Sequence, residues 1–222
     1  MRDFSSLQIG LTVFVTGIAM FITAPIAATL STKVDGRYVI AVGFSLFAAG
    51  LWMFSGISQD WGFAELFWPQ VIRGLAILLC IVPAVGMALN GVSPSELKYA
   101  SGLFNLMRNL GGAVGIAVAN TWLLDFTREH MLRLSEGLGQ APERATAMIQ
   151  GLAQHAGGWT PDAARALAMA QSEMGRIVSR QAMTLAFADT FRLMAWLFIG
   201  ALVIVPFCKP APLNAPPPPD AH

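Results

Sequence analysis

The stretch SGLFNLMRNLGGAVGIAVANT, Ser101–Thr121, decides the fold. Its twenty-one residues include no acidic group, and the second half is almost wholly apolar. Yet Arg108 and two asparagines, Asn105 and Asn109, sit in the first half, and Gly111, Gly112 and Gly115 follow. Each glycine costs a helix in water about 1 kcal/mol relative to alanine. In lipid the backbone must satisfy its own hydrogen bonds, so a helix persists there and close packing offsets that loss. The stretch reads as a membrane-spanning helix with a polar face.

Helical spacing sorts its residues. Positions three, four and seven apart are neighbours, so Asn105, Arg108, Asn109 and Gly112 share one face. Gly111, Gly115 and Ala119 recur every four residues, a small-residue ridge that admits a second helix at close range. A central arginine costs roughly 2.5–3.5 kcal/mol on insertion scales, so such residues face protein or a water-filled cavity. Two readings of Arg108 stand side by side. It either snorkels to the interface or bonds neighbouring carbonyls, or it is a pathway or gating residue with Asn105 and Asn109.

Composition agrees with a membrane setting. The 222 residues are 55% hydrophobic and 12% charged, with mean hydropathy +0.58. A soluble domain carries about 25% charged residues. The net charge of +1 argues against a nucleic-acid partner, which needs a basic face. Cys80 and Cys208 fall in or beside apolar runs and read as free thiols.

A bilayer core takes about 20 apolar residues per helix. Five segments qualify: about 7–30, 39–57, 67–89, 102–124 and 181–208. The last is uninterrupted only over Leu193–Phe207 and reaches full length by including Asp189 and Arg192. No short apolar region with a small-residue cleavage site follows Met1, so the first span is not read as a signal peptide. The fold class is all-α, a polytopic membrane helix bundle.

Residues 125–180 differ, with six basic and six acidic side chains. Pro142 marks one helix start; Thr160 as N-cap with Pro161 at the first position marks another. Gly157 and Gly158 mark the break between them. Two or three amphipathic helices lying on the membrane surface are expected, followed by a Pro-rich disordered tail at 209–222. His130 and His155 have no partner at metal-ligand spacing and read as solvated surface groups; no metal or cofactor is expected.

Short connections set the orientation. Lys33, Arg37, Lys98 and Lys209 fall on one side, and Arg2 alone on the other. The C-terminus is then cytoplasmic and the charged insert outside. Trp52, Trp61, Trp68 and Trp122 fall near the outer interface, as an aromatic belt would. An odd span count with the N-terminus outside predicts that something precedes Met1, so the chain is expected to be a fragment.

PQVIRGLAILLCIVP (Pro69–Pro83), ASGLFNLMRNLGGAVGIAVANT (Ala100–Thr121) and AFADTFRLMAW (Ala186–Trp196), in this order and with a charged insert before the last span, resemble a known group. It is the fourteen-span drug:proton antiporter branch of the major facilitator superfamily, the EmrB/QacA type. The resemblance extends from RDFSSLQIGLTVFVTGIAMF near the start to about Lys209 and matches spans ten to fourteen. It implies a partial C-terminal half of a major facilitator fold in a bacterial inner membrane. It also implies proton-coupled efflux of drugs or small amphipathic compounds, with a missing N-terminal half and a periplasmic adaptor protein as partners beside membrane lipid. The family's proton-coupling acidic residues lie largely in the absent half. Its loop pattern falls on the first connection, which carries Lys33, Asp35 and Arg37; only the basic positions match, so that degraded loop is expected to set topology.

Other residues carry weaker signals. Arg73, with Gln70 one turn before it, either snorkels or lines the outer mouth of a cavity. Pro83 removes a backbone hydrogen bond and is expected to bend its helix. Asp189 is the one carboxylate near a span, and Arg192 three residues on explains it as an ion pair. Two other classes remain open: a small non-transporting membrane protein that binds a partner through its outside helices, and a membrane enzyme. The second is disfavoured, since no nucleophile–base pair or metal cluster occurs in any span.

Overall fold

Residues 5–89, 92–93, 95–157 and 162–208 are described by a computed structural model. Six α-helices follow one another: α1 Ser6–Lys33, α2 Gly36–Phe54, α3 Phe63–Leu89, α4 Leu97–Gln140, α5 Pro142–Gly157 and α6 Ala163–Ile204, with a 3₁₀ turn at Val205–Phe207. Five of them, all but α5, are long and apolar enough to cross a membrane. Local chemistry fixes the starts. Ser5 and Gln8 form a reciprocal capping box at α1, which satisfies two of the free N–H groups of the first turn. The Asp35 carboxylate accepts from the Arg37 N–H and caps α2. The Glu65 carboxylate accepts from the Gly62 N–H at the start of α3.

Two helices are far longer than a bilayer requires. α4 has 44 residues and α6 has 42, so each is about 63–66 Å long at 1.5 Å per residue, against a hydrocarbon core of about 30 Å. The expected surface insert is therefore not a separate set of flat helices. α4 runs through residue 124 to Gln140, and α6 begins at Ala163 and runs on into its span; α5 alone lies wholly within 125–180. No proline interrupts 97–141 or 163–205, and a Glu129–Arg133 pair at i,i+4 supports the extension. Asp162, not Thr160, caps α6, accepting from the N–H groups of Ala164 and Arg165. Thr160, Pro161, Gly158 and the tail lie outside the described residues. Pro142 opens α5 and Gly157 ends it.

α3 packs against both α1 and α2, α2 also packs on α6, and α4 and α5 pack on α6. The α2–α3 seam is built on glycines two turns apart. A Cβ at Gly43 would lie 2.8 Å from Cys80 Sγ and 2.9 Å from the Leu79 carbonyl carbon, and one at Gly36 would lie 3.0 Å from Met87 Sδ. Gly50 faces Pro69, Ile72 and Arg73 at 3.5 Å. Gly74 serves the α1–α3 contact: a Cβ there would stand 2.7 Å from both the Ala19 methyl and the Thr16 carbonyl oxygen. Ala27, Val39 and Leu79 form the buried centre, with Leu30, Leu46, Leu78 and Val82 against it. Aromatic pairs close the α2–α6 seam, Phe47 stacking on Phe198 at 4.5 Å and Phe54 against Phe191 at 5.2 Å.

α3 remains helical through Pro69 and Pro83, both buried. α4 is the opposite case. Every residue from Asn105 to Val118 is exposed, and Gly111, Gly112 and Gly115 have nothing within 4 Å of a built Cβ. The glycines of the ridge read from the sequence meet nothing among the described residues, while Ala119 at its end is half-buried.

Candidate functional site

Membrane-embedded polar groups are the candidates, and the helices divide them into three places. The first is the α1–α3 contact. Close approach at Gly74 brings α1 near enough for Thr16 Oγ to donate to Gln70 Oε1 at 2.8 Å, and both residues are buried. One turn along α3, the Arg73 guanidinium lies over the Phe54 ring, 5.7 Å from its centroid. Among the described residues its Nε is buried without a hydrogen-bond partner, and the ring face attracts the guanidinium. Gln70 and Arg73 therefore sit on one helix but face different neighbours, α1 and α2.

The second place is the free half of α4. Asn105, Arg108 and Asn109 are exposed there. Among the described residues Arg108 makes no ion pair, and the two asparagines do not hold it. No acidic side chain among the described residues pairs with that charge.

The third place is the loop between α1 and α2. Lys33 closes α1, Asp35 is the α2 cap, and Arg37 donates from its terminal nitrogen to the Pro206 carbonyl at 3.3 Å. These residues tie the loop to the end of the last helix, 169 positions away in sequence.

Within α6, Asp189 carries more than the expected pair. Arg192 stands 3.4 Å from one carboxylate oxygen. His130 Nε2 stands 2.8 Å from the other. The reading of His130 as a solvated surface group is thus corrected: its side chain is 14% exposed. His155 is exposed.

Sequence reasoning missed three features: the His130–Asp189 bond, the Thr16–Gln70 bond and the glycines of α2. Signals existed for two. Gly36, Gly43 and Gly50 recur every seven residues, and His130 falls in the apolar stripe of a helix that continues beyond residue 124. No local pattern marks Thr16 as a partner of Gln70, 54 residues away.

Five helices long and apolar enough to cross a membrane define a multi-pass membrane protein. The chain belongs to the Major Facilitator Superfamily, whose family profile matches residues 1–128. It is 33% identical over 205 residues to the colistin resistance protein EmrB of Acinetobacter baumannii, covering 92% of this chain and 40% of that protein. It is 28% identical over 201 residues to the multidrug export protein EmrB of Escherichia coli K12, covering 87% and 36%. The multidrug export protein EmrB of Haemophilus influenzae is 24% identical over 204 residues, covering 90% and 38%. The chain spans about two fifths of the length of these curated relatives.

Proposed function

We propose that this chain carries the C-terminal spans of a proton-coupled efflux transporter for drugs or small amphipathic organic compounds. The observation that carries the reading is the free half of α4. It presents Arg108 between two asparagines, and the glycines Gly111, Gly112 and Gly115, to no helix among the described residues. An arginine within a membrane span and a close-packing ridge both call for a protein neighbour or an aqueous cavity. The remaining length of the relatives is the source of such a neighbour. Those relatives are named for export and resistance, which favours transport over the partner-binding alternative.

In this reading Arg108, Asn105 and Asn109 face the pathway, with Gln70 and Arg73 nearer its outer mouth. The Lys33–Arg37 loop anchors the cytoplasmic side, together with the C-terminus. The outer parts of α4 and α6, with α5, lie outside an inner membrane, within reach of a periplasmic adaptor. The short-loop charges and the tryptophans support that orientation. The test is Arg108→Ala at the matching position of a full-length relative. Membrane abundance stays normal and export is lost; normal export overturns the pathway assignment.

A further inference from the structure

α4 and α5 both pack on α6 but scarcely on one another. Leu134 and Leu138 are half-buried near the end of α4, and Ala145, Ile149 and Leu152 along α5, each set at the spacing of one helix face. Two helices laid on a third without closing on each other leave a cleft between them. This one has a volume of about 340 Å³. Met174, 7% exposed, lies at its base with Ile177 and Val178 of α6. Leu134 and Leu138 stand on the α4 side and Met148 on the α5 side.

Small-molecule sites are mostly apolar clefts of about 300–1,000 Å³, and this cleft falls within that range. The polar groups at its edge are already engaged. Arg133 is paired with Glu129 on its own helix, and Gln181 Oε1 accepts from Gln59 Nε2 at 2.8 Å. A charged guest would lose its hydration and meet no free counter-charge among these lining residues. An apolar cavity, by contrast, stays dry and takes apolar guests. Met148 and Met174 add adaptability, because an unbranched thioether reshapes around guests of different outline. Position excludes a bilayer lipid as the source. Gly137, which also lines the cleft, lies about 20 Å along α4 beyond residue 124 at 1.5 Å per residue. Met174 and Ile177 precede the apolar segment 181–208. A guest here arrives from water.

We infer that the cleft between α4, α5 and α6 is a binding site for a small uncharged compound with an apolar aromatic or aliphatic body. It is separate from the open α4 face that carries Arg108 and does not depend on the pathway reading of that face. The residues named at its base and sides all belong to this chain, so the site is present without further spans. Through Gln181 and Gln59 it also adjoins the connection between α2 and α3.

The test uses the full chain in lipid nanodiscs, since detergent would compete for an apolar site, and a neutral phenyl-diazirine photoprobe. Tagged residues are read by mass spectrometry over a probe titration. Labelling at Met148 and Met174 should saturate and fall when unreactive toluene is added. Labelling along the exposed stretch 105–118 should instead rise in proportion to probe, as simple partition does. At Gly137 nothing lies within 4 Å of a built Cβ, and leucine is a better helix former than glycine. Gly137→Leu therefore folds, occupies the cleft and abolishes the saturable labelling of Met174, with 105–118 unchanged. If that variant fails to insert, Met148→Ala serves, because it removes one wall at a position 44% exposed. The probe concentration for half-maximal labelling of Met174 then rises severalfold. Labelling of Met174 that grows in proportion to probe overturns the site, as does saturable labelling that neither variant alters. A phospholipid carrying the diazirine on its acyl chain should leave Met148 and Met174 untagged; tagging of both by that lipid overturns the assignment to a free compound.

Discussion

At the scale of single residues, the decisive positions are those where one atom more does not fit. Gly74 is one: backbone and a methyl group stand within 2.7 Å of where a Cβ would go, and neither is the loose end of a flexible side chain. Gly74→Val should push α1 off α3. Overpacking of this kind costs about 1–3 kcal/mol, and it would also part Thr16 from Gln70, leaving a buried amide short of a partner. Detergent melting is expected to fall and membrane abundance with it. Thr16→Val, which keeps the shape and removes the hydroxyl, should cost less, about 1 kcal/mol, without lowering abundance. Equal melting of Gly74→Val and native protein would mean that α1 and α3 do not meet as closely as Gly74 implies. Arg73 obeys a different rule. Its partner is a ring, so Phe54→Leu should loosen the guanidinium by about 0.5–2 kcal/mol, read as a lower melting temperature that Arg73→Met does not share.

Whole elements repeat this contrast between glycines that touch and glycines that do not. Gly43 on α2 meets Leu79 and Cys80; Gly115 on α4 meets nothing among the described residues. Gly43→Leu should therefore destabilise the chain as it stands, while Gly115→Leu should leave its melting unchanged. In a full-length relative, where further spans are present, Gly115→Leu at the matching position should lower melting as well. A drop for Gly115→Leu in this chain alone would show a partner for the ridge that α1–α3, α5 and α6 do not supply. The elements themselves were largely legible. Length and hydropathy find all five spans because lipid imposes one simple requirement, a run of apolar residues about 20 long. The same measure is blind past residue 124, where α4 turns charged and stays helical; continuity there depends on the absence of proline and on pairs such as Glu129–Arg133. Small-residue spacing identifies a face fit for close packing but does not say which helix fills it. For that reason the ridge at Gly111 and Gly115 was legible while its lack of a neighbour among the described residues was not. His130 was misread for the same cause, since its environment depends on the helix extending beyond the span.

For the molecule as a whole, the open face of α4 sets what this chain can do alone. Major facilitator proteins alternate access by rocking one repeat bundle against another around a site at the membrane midplane. Here α1, α2, α3 and α6 pack together, while the half of α4 that carries Arg108 has no second bundle to rock against. Everted vesicles holding only this chain should show no drug-dependent proton movement; saturable export by it alone would overturn the assignment of the pathway to a face shared with further spans. The same vesicles can test orientation. A reporter active only outside the cytoplasm, placed within residues 144–155 of α5, should be active, and one fused after Lys209 should be silent. The argument rests on Lys33, Arg37, Lys98 and Lys209 against Arg2, and on Arg37 bonding the Pro206 carbonyl, which places the first loop and the end of the last span at one face. Because that bond links the two, they must share a side, so one reporter pattern fixes both. An active reporter after Lys209 would invert the whole bundle, moving the His130–Asp189 pair to the cytoplasmic side.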